Sequence, residues 1–129
     1  EKANAHVYQG RGRFTGPNEV EVDGTKLKFK KAVIATGGSA VYSEKGMNYL
    51  KSKGFVIFLD LPQKNLEDRI TNFSTRGIAR RPDQSFACLF DERRPLYLQH
   101  ADIVVDCLGL SIDQLLERLI SISSEHFVA

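Results

Sequence analysis

The sequence predicts an α/β protein: a parallel sheet flanked by helices, preceded by a small antiparallel β-meander. Three observations carry this. Short runs at residues 32–36 ("AVIAT"), 55–60 ("FVIFLD") and 103–107 ("IVVDC") are almost continuously apolar, the pattern of strands covered on both faces. The stretches between them place apolar residues at helical spacing. Residues ~5–30 instead alternate with period two around turn signals.

The elements follow in order. "AHVYQGRGRF" is extended and glycine-broken, "GPN" is a turn, and "EVEV" (Glu19–Val22) alternates polar with apolar. Asp23-Gly24 is a tight-turn signal, and "KLKFK" (Lys26–Lys30) alternates again, so a hairpin or three-stranded meander with one wet face is expected. After the 32–36 run, Gly37, Gly38 and Ser39 make a turn. Ser43 is placed to cap a helix that carries Met47 and Leu50 and ends at Gly54. Leu66, Ile70 and Phe73 fit a helix after Pro62, and Ser74–Ser85, polar, basic and proline-containing, reads as a loop. Phe86, Leu89 and Phe90 open a helix that Pro95 is expected to kink or restart. Ser111 and Gln114 form a capping box for a last helix with Ile112, Leu115, Leu116, Leu119 and Ile120 on one face.

At 129 residues, with 42% apolar and 26% charged residues, one domain spanning 1–129 is expected. A net charge of +2 gives no basic footprint for nucleic acid or an anionic membrane. No apolar run reaches the ~18 residues of a membrane span. The opening "EKANAHVYQG" lacks the basic and apolar blocks of a secretory leader, so the cytoplasm is the expected setting. Cys88 and Cys107 lie in apolar surroundings and read as two buried, reduced thiols. His6, His100 and His126 share no metal-ligand spacing, and neither a metal nor a cofactor is expected.

"VIATGGSAVYS", "GFVIFLDLP" and "DERRPLYLQHADIVVDC" resemble shikimate kinase, a P-loop phosphotransferase, from about residue 33 onward. The Arg-x-Pro-Leu-Tyr helix followed by Ala-Asp and a strand is the most specific of these. The resemblance implies that Gly37 and Gly38 contact shikimate and that Arg93 binds its carboxylate. It also implies that the basic loop is a lid over ATP, with Arg76, Arg80 and Arg81 as lid candidates. "GRGRFTGPNEVEVDGTKLKFKKAVIATGGSA", within residues 5–39, resembles an internal piece of the FAD-dependent pyridine nucleotide–disulfide oxidoreductases, mercuric reductase among them. The two patterns share "VIATGG", which makes the chain look like an engineered chimera joined at that turn.

No Gly-Lys pair occurs, so the phosphate cradle G-x-x-x-x-G-K-[ST] is not found. "GRGRFTG" has G-x-G-x-x-x-G spacing and precedes a strand, so it is either a diphosphate loop or a bulged strand. Arg93 and Arg94 are either an anion site or a salt-bridged face with Asp91 and Glu92. Gly37 and Gly38 either bind an anion near a helix start or merely permit the turn. Asp60 and Asp106 are either catalytic carboxylates or caps, and Tyr42, Phe90 and Tyr97 are expected to pack. In shikimate kinase the P-loop strand lies between the counterparts of 32–36 and 55–60. The resemblance therefore implies a gap, to be closed within the chain or by a strand-swapped dimer. The expected function is a non-catalytic scaffold, a monomer or swapped dimer. The alternatives are a shikimate kinase-like phosphotransferase using ATP and shikimate, or a remnant nucleotide- or anion-binding module.

Overall fold

The computed structural model describes residues 6–70 and 77–126. It is α/β and divides into two compact units, 1–36 and 37–129.

The first unit is the predicted meander: β1 (Gly12–Gly16), β2 (Glu19–Val22) and β3 (Thr25–Lys28), paired antiparallel in that order. Between β2 and β3, Val22 faces Thr25, which leaves Asp23-Gly24 as a two-residue loop. Both loop residues have positive φ, 45° and 85°, the requirement of the hairpin turn that follows the strand twist. Asp23 also accepts the Arg11 N–H at 3.1 Å. Within "GRGRFTG" the strand runs Gly12–Gly16 with a register irregularity between Phe14 and Gly16, so Gly16 sits at a bulge and the stretch is no diphosphate loop before a helix. Lys26–Glu19 (3.2 Å) and Arg13–Glu21 (3.8 Å) link neighbouring strands, and Phe14 meets Phe29 edge-on at 6.1 Å.

The predicted strand at 32–36 does not form: these residues carry no ladder, and Val33 and Ile34 are 78% and 56% exposed. An apolar run becomes a strand only where another strand takes up its N–H and C=O groups. Among the described residues none does so here, nor does any third strand pair with the sheet of the second unit.

The second unit begins with a 3-10 turn (Gly38–Tyr42) and α1 (Glu44–Lys53), whose first turn is capped by Ser43 Oγ accepting from Gly46 N–H at 3.1 Å. Then come β4 (Ile57–Asp60), α2 (Gln63–Arg69), α3 (Phe86–His100), β5 (Ile103–Asp106) and α4 (Ile112–His126). β4 and β5 pair parallel, Ile57 opposite Ile103 through Asp60 opposite Asp106. The core centres on Leu61, Val105 and Cys107, with Ile57, Leu66, Ile103, Leu115 and Ile122 packed around them. Asp102 clamps the entry to the sheet. Its carboxylate accepts from Val56 N–H (2.8 Å) and Lys51 Nζ (2.7 Å), bonds that hold it below the usual carboxylate range, the lysine's first.

Four further expectations change. Pro95 lies inside one continuous α3, which neither stops nor restarts there. Proline deletes a single N–H bond, and α3 is anchored on both sides of it, by Arg94 to Asp60 and by Tyr97 to Gly38. α4 turns only a narrow side to the core, through Leu115 and Ile122; Ile112, Leu116 and Ile120 are exposed. The strands are not covered on both faces, since Leu59 and Val104 are 43% and 48% exposed. Cys107 is buried as expected but Cys88 is exposed, and neither is in a disulfide. Phe73 and the start of the predicted loop, Ser74 to Arg76, lie outside the described residues.

Candidate functional site

The polar centre of the second unit is built on α3. Helical spacing sets Arg93 and Tyr97 four residues apart, on one face, toward the 3-10 turn. Arg93 is 6% exposed, a burial arginine tolerates only with its donors engaged. Its Nε donates to Tyr42 Oη at 3.2 Å, Nη2 donates to the Ala79 carbonyl, and the guanidinium carbon lies 5.2 Å from the Tyr42 ring centroid. Burial works against the Arg93 charge. The Tyr42 bond and the neighbouring tyrosines more than offset it, so the group stays cationic.

Gly38 meets this centre with bare backbone. Its carbonyl accepts from Tyr97 Oη at 2.9 Å. A Cβ on Gly38 would stand 2.7 Å from that hydroxyl and 3.1 Å from Arg93 Nη1. Glycine is required here for close approach, not for the turn, because neither Gly37 nor Gly38 has positive φ. Gly37 has open space around its Cβ position and nothing steric demands it. Burial pushes the Tyr97 phenol up, against the pull of Arg93, so it remains a neutral donor.

Behind Arg93 lies a second layer. Glu92 accepts from Tyr42 Oη at one oxygen; at the other it accepts from Gln84 Nε2 (2.8 Å) and Arg81 Nη2 (3.2 Å). Gln84, also 6% exposed, accepts from Arg81 N–H at 3.3 Å. Arg80 Nη1 donates to the carbonyls of Arg81, Pro82 and Gln84, folding the loop on itself.

The structure therefore brings Gly38, Arg93, Tyr42 and Tyr97 together and ties Arg81 to them through Glu92. Arg80 shapes its own loop, and Arg76 is outside the described residues. The adjacent arginines separate: Arg94 is salt-bridged to Asp60 (2.7 Å), whereas Arg93 meets tyrosines and a carbonyl. Asp106 caps the next turn through Leu108 N–H at 2.9 Å. The polar roles of Tyr42 and Tyr97 were not apparent from the sequence, where both simply pack. The Arg93/Tyr97 spacing on one helix face was the available signal for Tyr97. Tyr42 and Glu92 are 50 residues apart and carried none. Among the described residues no cluster of His, Cys, Asp or Glu is arranged to hold a metal ion, and no helix is long and apolar enough to cross a membrane.

The arrangement is a buried helix-borne arginine beside bare glycine backbone, with the Ala79 carbonyl of a basic loop against its guanidinium; arginine in general suits planar oxyanions such as carboxylates. The comparisons narrow the class. The family model for shikimate kinase matches residues 18–123, and the chain belongs to the shikimate kinase family. The shikimate kinase of Aquifex aeolicus is 36% identical over 76 residues, covering 59% of this chain and 45% of that protein. The Nitrosococcus oceani shikimate kinase is 32% identical over 89 residues, covering 67% and 47%. The Thermodesulfovibrio yellowstonii shikimate kinase is 30% identical over 115 residues, covering 86% and 64%. The chain spans about half the length of the curated relatives it matches. No solved structure matches it.

These matches correct the chimera expectation. The family match starts at residue 18, inside the stretch that resembles a flavoenzyme, and one relative aligns over 86% of the chain. Nothing supports an oxidoreductase fragment or an engineered junction. A chain covering about half of its relatives gives no argument from a phosphate-cradle motif it does not show, so the inference to a non-catalytic scaffold falls too.

Proposed function

We propose that this chain serves a shikimate kinase-like phosphotransferase, in which ATP gives its terminal phosphoryl group to a shikimate hydroxyl. The oxygen–phosphorus bond to ADP breaks, a new one forms to shikimate, and the hydroxyl proton is released. The described residues supply the acceptor side. Arg93, held cationic, pairs with the shikimate carboxylate, and Gly38 offers an approach without a side chain. Gly37 lines the same approach. Arg80 and Arg81, with Arg76, belong to the loop that would close over the nucleotide, and Arg81 is linked to α3 through Glu92. The observation that carries this is the burial of Arg93 beside Gly38, with no carboxylate in a salt bridge to it among the described residues.

The test is shikimate-dependent ADP release at high protein concentration, together with equilibrium titration by shikimate. Saturable binding that Arg93→Ala abolishes supports the acceptor site, and ADP release that needs shikimate supports the transfer. Binding unchanged in Arg93→Ala removes the site.

A further inference from the structure

An arginine that recognises a carboxylate must present its planar fork in one orientation, because two parallel N–H bonds are lost together when the plane rotates. Arg93 has a single Nε–H, and its acceptor, the Tyr42 hydroxyl at 3.2 Å, fixes that plane. The hydroxyl has one proton and gives it to Glu92 Oε1. An ionised carboxylate only accepts, so Tyr42 must donate to Glu92 and must accept from Arg93. Glu92 is kept in that form by its hydrogen bonds, from Tyr42 first and then Gln84, which hold its carboxyl below the usual range. The chain of bonds is directional from the guanidinium to the glutamate. At its other end Nη1 lies beside the Gly38 backbone, within 3.1 Å of where a Cβ would sit, with the Tyr97 hydroxyl against the same point.

We propose that Tyr42, oriented by Glu92, is the positioning residue for Arg93 and aims its Nη1 edge at the ligand beside Gly38. This rests on Arg93 being the carboxylate-binding arginine. Glu92 then controls affinity at a site it does not touch, and the same carboxylate carries Arg81 and Gln84, so ligand recognition and loop placement share one anchor.

The experiment uses the full chain with 15N-labelled arginine. It measures exchange of the Arg93 Nε–H with solvent and shikimate affinity by titration, in the parent, Tyr42→Phe, Glu92→Gln, the double variant and Arg93→Ala. Tyr42→Phe keeps the ring and its packing and removes only the hydroxyl. Each single variant is expected to speed Nε–H exchange and weaken shikimate binding about tenfold, the size of a lost charge-assisted bond. The double variant is expected to be no worse than either single. A purely structural role would leave Nε–H exchange unmoved in folded Glu92→Gln, and that result overturns the proposal; so does additivity in the double variant. Shikimate binding unchanged in Arg93→Ala would instead refute the ligand assignment, while the exchange rates would still decide the Glu92–Tyr42–Arg93 alignment.

Discussion

The two units of the chain are organised on different terms. In the meander every pairing is between neighbours in sequence, and none of the described residues up to Thr36 is buried. Its order comes from turns: two residues with positive φ at 23–24, a bulge after Phe14, and cross-strand charge pairs. In the second unit, four hydrogen bonds tie together residues 34 to 59 apart: Arg94 to Asp60, Val56 to Asp102, Tyr42 to Glu92, Tyr97 to Gly38. The buried side chains are there, and the buried polar ones, Gln84 and Arg93, are those of the site. Local order needs only turn chemistry. Assembling a site requires distant residues to meet, and helix α3 with the parallel pair does that work.

Substitutions sharpen the contrast, beginning with the largest effect. Leu61→Ala, at 5% exposure in the core cluster, is expected to cost about 2–4 kcal/mol in urea unfolding of the second unit, while meander amide protection stays as it was. Equal loss of protection in the meander would break the comparison. Gly38→Ala forces a methyl against the Tyr97 hydroxyl and is expected to cost about 1–3 kcal/mol, with shikimate affinity falling alongside. Gly37→Ala, with open space around it, should leave stability unchanged. Asp102→Asn is expected to cost about 1–2 kcal/mol at neutral pH by weakening the Lys51 and Val56 bonds. Because the folded state lowers the Asp102 pKa, its contribution is present above the unfolded value and is lost as pH falls through the folded one. The acid limb of a stability–pH curve should therefore flatten in the variant. Gly24→Ala, at φ 85° with no steric neighbour, is expected to cost about 1 kcal/mol, read as faster exchange in β2 and β3 only.

The same contrast explains what was legible beforehand. The Asp23-Gly24 turn, the Ser43 cap and the Ser111/Gln114 box depend on residues three or fewer apart, and each forms as the sequence predicts. The expected strand at 32–36 does not form, because apolar character does not reveal whether a partner strand is present. Ile112, Leu116 and Ile120 turn outward against expectation, because periodicity gives a face but not its neighbour. The family motif separates Arg93 from Arg94, which the residues alone leave as a pair; what holds Arg93, Tyr42 from the 3-10 turn and Ala79 from the loop, is a product of tertiary folding. The flavoenzyme likeness misled because a short meander and a strand-turn recur in unrelated folds, whereas the family match runs through that stretch from residue 18.

The central claim, that Gly38 and Arg93 form the acceptor end of a shikimate kinase-like site, is tested most directly by shikimate titration followed through amide and arginine side-chain resonances. The account predicts saturable shifts concentrated at Gly38, Ala79, Arg93 and Tyr97, with the Ala79 amide moving as the ligand competes for the guanidinium. Shifts scattered over the surface, or none at these four residues at saturating shikimate, would contradict it.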